Sequence, residues 1–300
     1  MTIALKDDLR GAGFRGEILT EQALGPMTTW RIGGPAELLA NPLDVDDVRC
    51  AVAWASGRRL VWRVLGNGSN LLVGDSGVRG LVLRIRKVLD GIDIAGSTVV
   101  AGAGTSLPAL ANAVADHGLA GIEFGAGIPG CVGGAIVMNA GWHQFELGNV
   151  VRNVTYLEDD GLVLDYRHDS CRFGYRTSAF RGRRGVVLSA ELALTQDDPA
   201  AVRGRLLQFS ESRKANQPTE LPSCGSVFLK PEGDFAGRLI EAAGLKGRRV
   251  GGIQVSEKHA NFFVNMGGGT AKDALALVEL VEREVFDKFG VKLTREFEIW

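Results

Sequence analysis

A chain of 300 residues, 45% of them apolar, is long enough to bury a sizeable core, divided over two or three domains. A formal net charge of −1, with 23% charged residues, excludes bulk electrostatic binding to nucleic acid or to an acidic membrane. The four cysteines, Cys50, Cys131, Cys171 and Cys224, form no C-x-x-C pair. They support neither a metal site nor a thioredoxin-like motif, and read as reduced thiols of a cytosolic protein.

The opening MTIALKDDLRGAGF has no apolar signal core, and no later apolar run is long enough to span a membrane, so a soluble cytoplasmic protein is expected. Residues 43–57 carry a helical pattern, with Asp44 as N-cap and Gly57 as stop. Short β-rich runs follow at 60–66, 81–85 and 98–104, then a helix from Ser106 to His117 with Pro108 in its first turn. Residues 150–195 alternate as strands. The character changes at Asp197-Asp198-Pro199, where a helix runs to about Lys214. A final helix over 270–290 places Leu275, Val278, Val281, Val285 and Phe289 on one face, with Glu279–Arg283 and Glu284–Lys288 pairs on the other. A closing strand, VKLTREFEIW, completes an α+β chain with one lobe over 1–197 and another over 198–300.

Glycine, 41 of the 300 residues, is about double its usual share and clusters in loops between apolar runs. GNGSN (Gly66, Asn67, Gly68, Ser69, Asn70) follows a strand and is either a plain turn or a nest of amides for a phosphate. It is neither a Walker A loop nor a Rossmann fingerprint. The uncharged stretch IPGCVGGAIVMNAG, from Ile128, Pro129 and Gly130 through Gly133 and Gly134 to Asn139, opens a helix. Its glycines serve either tight helix packing or the close approach of a pyrophosphate or flat ring. Two such loops, both after strands, raise a dinucleotide hypothesis.

The segments TTWRIGGPAEL, VLGNGSNLLV, GIEFGAGIPGCVGGAIVMNAG, FGYRTSAF, PSCGSVF, KPEGDFAGRLIEAAGLKG and VSEKHANFFVN occur in this order. From about Met27 to Trp300 the chain resembles the UDP-N-acetylenolpyruvoylglucosamine reductase family. The resemblance implies an FAD-binding module of the vanillyl-alcohol-oxidase type in two subdomains (about 1–85 and 86–197), followed by a C-terminal substrate-binding domain. It implies non-covalent FAD held by the two glycine loops and Asn139, NADPH as co-substrate, a UDP-sugar substrate, and a cytoplasmic, monomeric enzyme of peptidoglycan precursor synthesis. The interval of 50 residues from Arg176 to Ser226 resembles the compact branch of that family. Another FAD-dependent alcohol or hydroxy-acid oxidase on the same fold is the alternative.

The resemblance also assigns roles. Arg176 would grip the substrate carboxylate as negative charge develops, which a fixed planar cation can do bidentately; from composition alone it reads as one surface arginine beside Arg181, Arg183 and Arg184. Ser226 would donate the proton, although its local sequence equally suits a turn before the strand SVFL. No G-x-S-x-G elbow supports a nucleophile there. Glu296 is the implied catalytic acid; strand alternation puts Glu298 on the same face and leaves the two unseparated. Tyr175, Lys214, Lys230 and His259 match substrate-contacting positions, and Asn261 either lines that pocket or belongs to the core. Leu229-Lys230 replaces the family's Lys-Asn and His143 replaces a tyrosine.

Overall fold

In the computed structural model, which describes residues 2–86 and 88–300, the chain divides into two compact units that are interleaved in sequence. The first comprises Met1–Glu21, Glu37–Asn67 and Arg79–Ser212; the second comprises Gln22–Ala36, Gly68–Val78 and Arg213–Trp300. A single cut near residue 197 therefore does not reproduce the compact units. Trp30, Ile32 and Leu72, far upstream in the chain, pack in the hydrophobic cluster that also contains Phe228, Phe263 and Val281. Conversely, the helix Pro199–Asn216 belongs to the first unit as far as Ser212.

The first unit is built on two sheets. One has the strand order Glu17–Ala23, Pro35–Asn41, Val78–Arg84, Trp62–Leu65, and its last two strands run parallel. The other is five-stranded and antiparallel, in the order Val163–Arg167, Val151–Glu158, Gly185–Ala193, Thr98–Gly102, Ile92–Ala95. The helix Val45–Gly57 begins where the sequence indicates: Asp44 accepts a bond from the Asp47 amide. Its apolar face joins a cluster with Leu83, Val99, Tyr156 and Leu188, so one continuous core serves both sheets. Gly80 is required by geometry: its φ is +85°, and a Cβ there would lie 2.0 Å from the Val61 carbonyl oxygen.

The second unit packs the helices Ala236–Ala242 and Ala271–Phe289 with an antiparallel sheet ordered Ser223–Ser226, Phe262–Asn265, Ile253–Val255, Arg249–Val250. The buried face of the long helix is Ala271, Ala274, Leu277, Val278, Val281 and Val285. Leu275 and Phe289, expected on that face, are only partly buried against the cluster. Lys288, expected to pair with Glu284, instead donates to the Ala242 carbonyl. The chain end is not one long strand. Only Glu298–Ile299 is a strand, parallel to Leu71–Leu72, whereas the Glu296 and Leu229 amides make bonds linking 294–296 to 227–229. Among the described residues no helix is long and apolar enough to cross a membrane.

The start of the long helix is capped twice. Thr270 and Asp273 form a reciprocal capping box, and the Asp75 carboxylate accepts from the amides of Ala271 (2.8 Å) and Lys272 (3.0 Å). Asp75→Ala should therefore destabilise the second unit by about 1–2 kcal/mol. Thermal denaturation should show a lower midpoint with unchanged secondary structure; an unaltered midpoint would mean that the capping box alone suffices.

Candidate active site

The two glycine loops of the sequence meet in the first unit. The Asn67 amide hydrogen-bonds the Cys131 sulfur, and a Cβ on Gly66 would come within 3.0 Å of that same atom. Cys131 is buried and burial raises its thiol pKa, so it is a packing contact rather than a reactive thiol. The helix Val132–Val137 opens at this point. Gly133 packs against Ala103, at 3.0 Å from an added Cβ, whereas a Cβ on Gly134 would meet nothing within 4 Å. One glycine of the pair thus serves packing and the other leaves an open backbone surface. Ile128 and Gly130 are half-buried and Pro129 is exposed beside it. This bare, uncharged backbone fits an extended dinucleotide such as FAD.

The remaining loop residues belong to the second unit. Gly68 is buried with φ +62°, and an added Cβ would lie 2.7 Å from the Met27 carbonyl oxygen. Its own carbonyl accepts from the Thr29 amide (3.1 Å), and the Thr29 hydroxyl donates to the Ser223 carbonyl (2.7 Å). Ser69 is half-buried beside it. Asn70 donates to the Glu296 carbonyl at 3.3 Å and accepts from the Glu298 amide. The side chain expected on the cofactor therefore ties the loop to the backbone of the candidate acid.

Arg176 stands apart from its arginine neighbours. Gly174 and Thr177 exchange both backbone hydrogen bonds, so Tyr175-Arg176 is the tip of a two-residue turn, and Arg176 has φ +54°. A left-handed non-glycine residue costs roughly 1–2 kcal/mol and persists only where its surroundings enforce it. Here the Arg176 guanidinium donates to the Gly141 carbonyl (2.8 Å), and Arg181 donates to the Arg176 carbonyl (2.9 Å). Arg183 pairs with Glu158 and Arg184 with Asp159. Arg183 and Arg184 thus pair with carboxylates and Arg181 supports the turn, while Arg176 itself holds the left-handed position at the turn's tip. Tyr175, 51% exposed, stacks beneath the Arg176 guanidinium at 5.2 Å.

The Asn139 amide, expected on the cofactor, is bonded to protein groups at each of its polar atoms. It is 1% exposed; its Nδ2 donates to Glu146 (2.8 Å) and to the Gly174 carbonyl (3.0 Å), and its Oδ1 accepts from the Gly148 amide (2.8 Å). His143, at the tip of the adjacent hairpin, stacks on Trp142 at 5.1 Å.

In the second unit Ser226 ends the strand Ser223–Ser226 rather than beginning SVFL. A bulge falls between Ser223 and Ser226, with Gly225 at φ +81°, which re-aims the half-buried serine. Asn261, one of the two readings left open, belongs to the core: its amide clamps Phe228 by accepting from the Phe228 amide (3.0 Å) and donating to its carbonyl (2.8 Å). The Glu296 amide donates to the Val227 carbonyl at 2.9 Å, setting the acid beside this strand. Burial and the Glu296 charge push the Cys224 thiol pKa up, so Cys224 is un-ionised. Glu296 is half-buried and Glu298 exposed, a distinction that strand alternation could not make.

The remaining candidates are also in the second unit. Lys230 is exposed, 4.5 Å over the Phe235 ring. His259 accepts the Asn261 amide at Nδ1 (3.2 Å), and burial lowers its pKa, so it is neutral with its proton on Nε2. Lys214 is exposed. Its neighbour Arg213, which sequence reading passed over, is half-buried, and desolvation pulls its pKa to about 10. Only helix phase could have flagged it.

Comparison with known proteins decides the family. An FAD binding domain family matches residues 36–166, and the UDP-N-acetylenolpyruvoylglucosamine reductase C-terminal domain matches residues 217–300. The UDP-N-acetylenolpyruvoylglucosamine reductase of Rubrobacter xylanophilus is 46% identical over 280 residues, covering 93% of this chain and 94% of that protein. The enzyme of that name from Moorella thermoacetica is 44% identical over 297 residues, covering 99% and 97%. The chain belongs to this family. The crystal structure of the Thermus caldophilus reductase superposes with a TM-score of 0.82 at 37% identity, covering 95% of this chain and 99% of that one. The fold is therefore the α+β one implied by the resemblance, an FAD-binding module with the family's C-terminal domain, and the chain is an FAD-dependent oxidoreductase. Within the first unit, the bare backbone of Gly66, Asn67 and Ile128–Gly134 fits the FAD that the family binds. Gly68→Ala adds strain of ~1–2 kcal/mol and should weaken flavin retention about tenfold. Flavin absorbance per protein after dialysis checks this; undiminished retention would show that the loop does not need the left-handed residue.

Proposed function

We propose that this chain reduces the enolpyruvyl ether of UDP-N-acetylglucosamine enolpyruvate to the lactyl ether of UDP-N-acetylmuramate, with NADPH as reductant, in peptidoglycan precursor synthesis. When bound, FAD supplies the hydride. The hydride adds to the methylene carbon, the carbon–carbon double bond breaks, and its electron pair moves toward the carboxylate as an enediolate. A proton then reaches the adjacent carbon. Arg176 meets the carboxylate and binds it more strongly as charge accumulates there. Ser226 gives up its hydroxyl proton to the carbon, a transfer that a weak acid can make only when closely placed and shielded from water. Glu296, in its protonated form, donates a hydrogen bond to the enediolate. Lys214, Lys230, Tyr175 and the Nε2–H of His259 are assigned to the UDP-sugar. We take the enzyme to be a cytoplasmic monomer, and the near-neutral chain offers no electrostatic basis for binding nucleic acid or an acidic membrane.

The observation that carries these roles is the hydrogen bond from the Glu296 amide to the Val227 carbonyl, which seats a half-buried acid opposite the residue that follows Ser226. An alcohol or hydroxy-acid oxidase on the same flavin module is not favoured, because the C-terminal family match covers residues 217–300 as well.

NADPH should bleach the flavin absorbance, and UDP-N-acetylglucosamine enolpyruvate should restore it without oxygen; bleaching with no restoration by that substrate would refute the reading. Ser226→Ala should leave bleaching within about twofold and slow restoration by ~10²–10⁴. Equal loss of both steps would make the serine structural. Glu296→Gln should lower turnover by ~10² or more, and Glu298→Gln by less than about threefold; the reverse order would transfer the acid's role to Glu298.

A further inference from the structure

The segment that follows the open glycine face and the turn that carries Arg176 are stitched together at three points within the first unit. Ser178 Oγ donates to the Val137 carbonyl at 2.8 Å, Asn139 Nδ2 donates to the Gly174 carbonyl at 3.0 Å, and Arg176 donates to the Gly141 carbonyl at 2.8 Å. The helix Val132–Val137 leads directly into residues 137–141, so it and the arginine turn form one braced piece. Asn139 is the centre of the brace. It is buried, it holds φ +44°, and it uses both N–H groups and its oxygen on three different segments: Glu146 in the hairpin, Gly174 at the base of the turn, and Gly148. Gly148 is closely packed as well, since an added Cβ would lie 2.7 Å from the Phe173 ring and 2.9 Å from Asn139 Oδ1. No other residue type of this size offers two donors and an acceptor in this plane.

We propose that Asn139 is a positioning residue for the reduction: through Gly174 it sets where Arg176 stands relative to the open backbone face at Gly134. This inference rests on the function proposed above. Its physical basis is that the carboxylate held by Arg176 and the carbon receiving hydride belong to one small group, so the distance between clamp and flavin face must be fixed by rigid covalent and hydrogen-bonded structure. A misplacement of about 1 Å can cost on the order of 10² in rate. Asn139 touches neither substrate nor cofactor through its amide; it acts through the turn.

The test separates the two half-reactions in the FAD-loaded enzyme. Asn139→Ala should keep flavin binding and bleaching by NADPH within about threefold, while restoration by the enolpyruvyl substrate slows by ~10–10². Asn139→Asp removes both donors and sets a second carboxylate against Glu146; its restoration rate should rise as pH falls and one of the pair is protonated, a dependence the parent enzyme lacks over the same range. Should Asn139→Ala fail to fold, Ser178→Ala removes one hydroxyl from the same brace and should show the same selective slowing on a smaller scale. Equal slowing of both half-reactions, loss of flavin binding, or no change would each overturn the proposal. If the parent enzyme itself is bleached by NADPH and not restored by the substrate, the proposed function fails instead.

Discussion

Two buried carboxamides hold the reactive segments of this protein. Asn261 takes both the amide and the carbonyl of Phe228, two residues after Ser226, and Asn139 takes the carbonyl of Gly174, two residues before Arg176. Neither segment could hold its shape as ordinary secondary structure. Ser226 ends a bulged strand, and Arg176 sits in a left-handed turn with only one pair of backbone bonds to close it. A buried amide bonded at every polar atom is rigid, and its loss would leave backbone groups unsatisfied in a low-dielectric interior. These clamps make irregular backbone as well defined as a sheet.

The glycines perform a complementary task. Gly66 and Gly68 admit close neighbours that any side chain would displace, whereas Gly134 leaves a surface with nothing above it. The residues contributed by the loop at 66–70 divide between the two compact units, and Asn70 bonds the backbone of Glu296 within the second. Cys131 and Cys224 are buried and burial raises their thiol pKa values, so neither rests as a thiolate.

The elements with strong local signals were legible in the chain. The Asp44 cap, the helix near Pro108, the strands between 150 and 195 and the capped final helix all depend on periodicity and terminal residues that act over one or two turns. Less visible were the phase of the final helix, whose buried face includes Ala271 and Ala274, and the chain end, where residues 294–299 change partners between 227–229 and 70–72. Both outcomes are decided by distant residues. For the same reason the interleaving of the two units could not be read from composition along the chain: Trp30 joins the core of Phe228 and Val281 across some two hundred positions.

The sequence by itself was enough to place the chain in its family and to single out two glycine loops, Arg176, Ser226 and the Glu296/Glu298 pair as candidates, because each lies in a short motif whose residue types and order are distinctive. Tertiary structure alone decided how those residues are held. It showed that Asn139 and Asn70 spend their amides on the protein, that Asn261 belongs to the core, and that Glu296 is half-buried while Glu298 is exposed. It also turned Arg213, rather than Lys214, inward. The physical reason is common to all of them. A residue's chemistry is written in its side chain, but its hydrogen-bond partners and its burial are supplied by segments tens to hundreds of positions away.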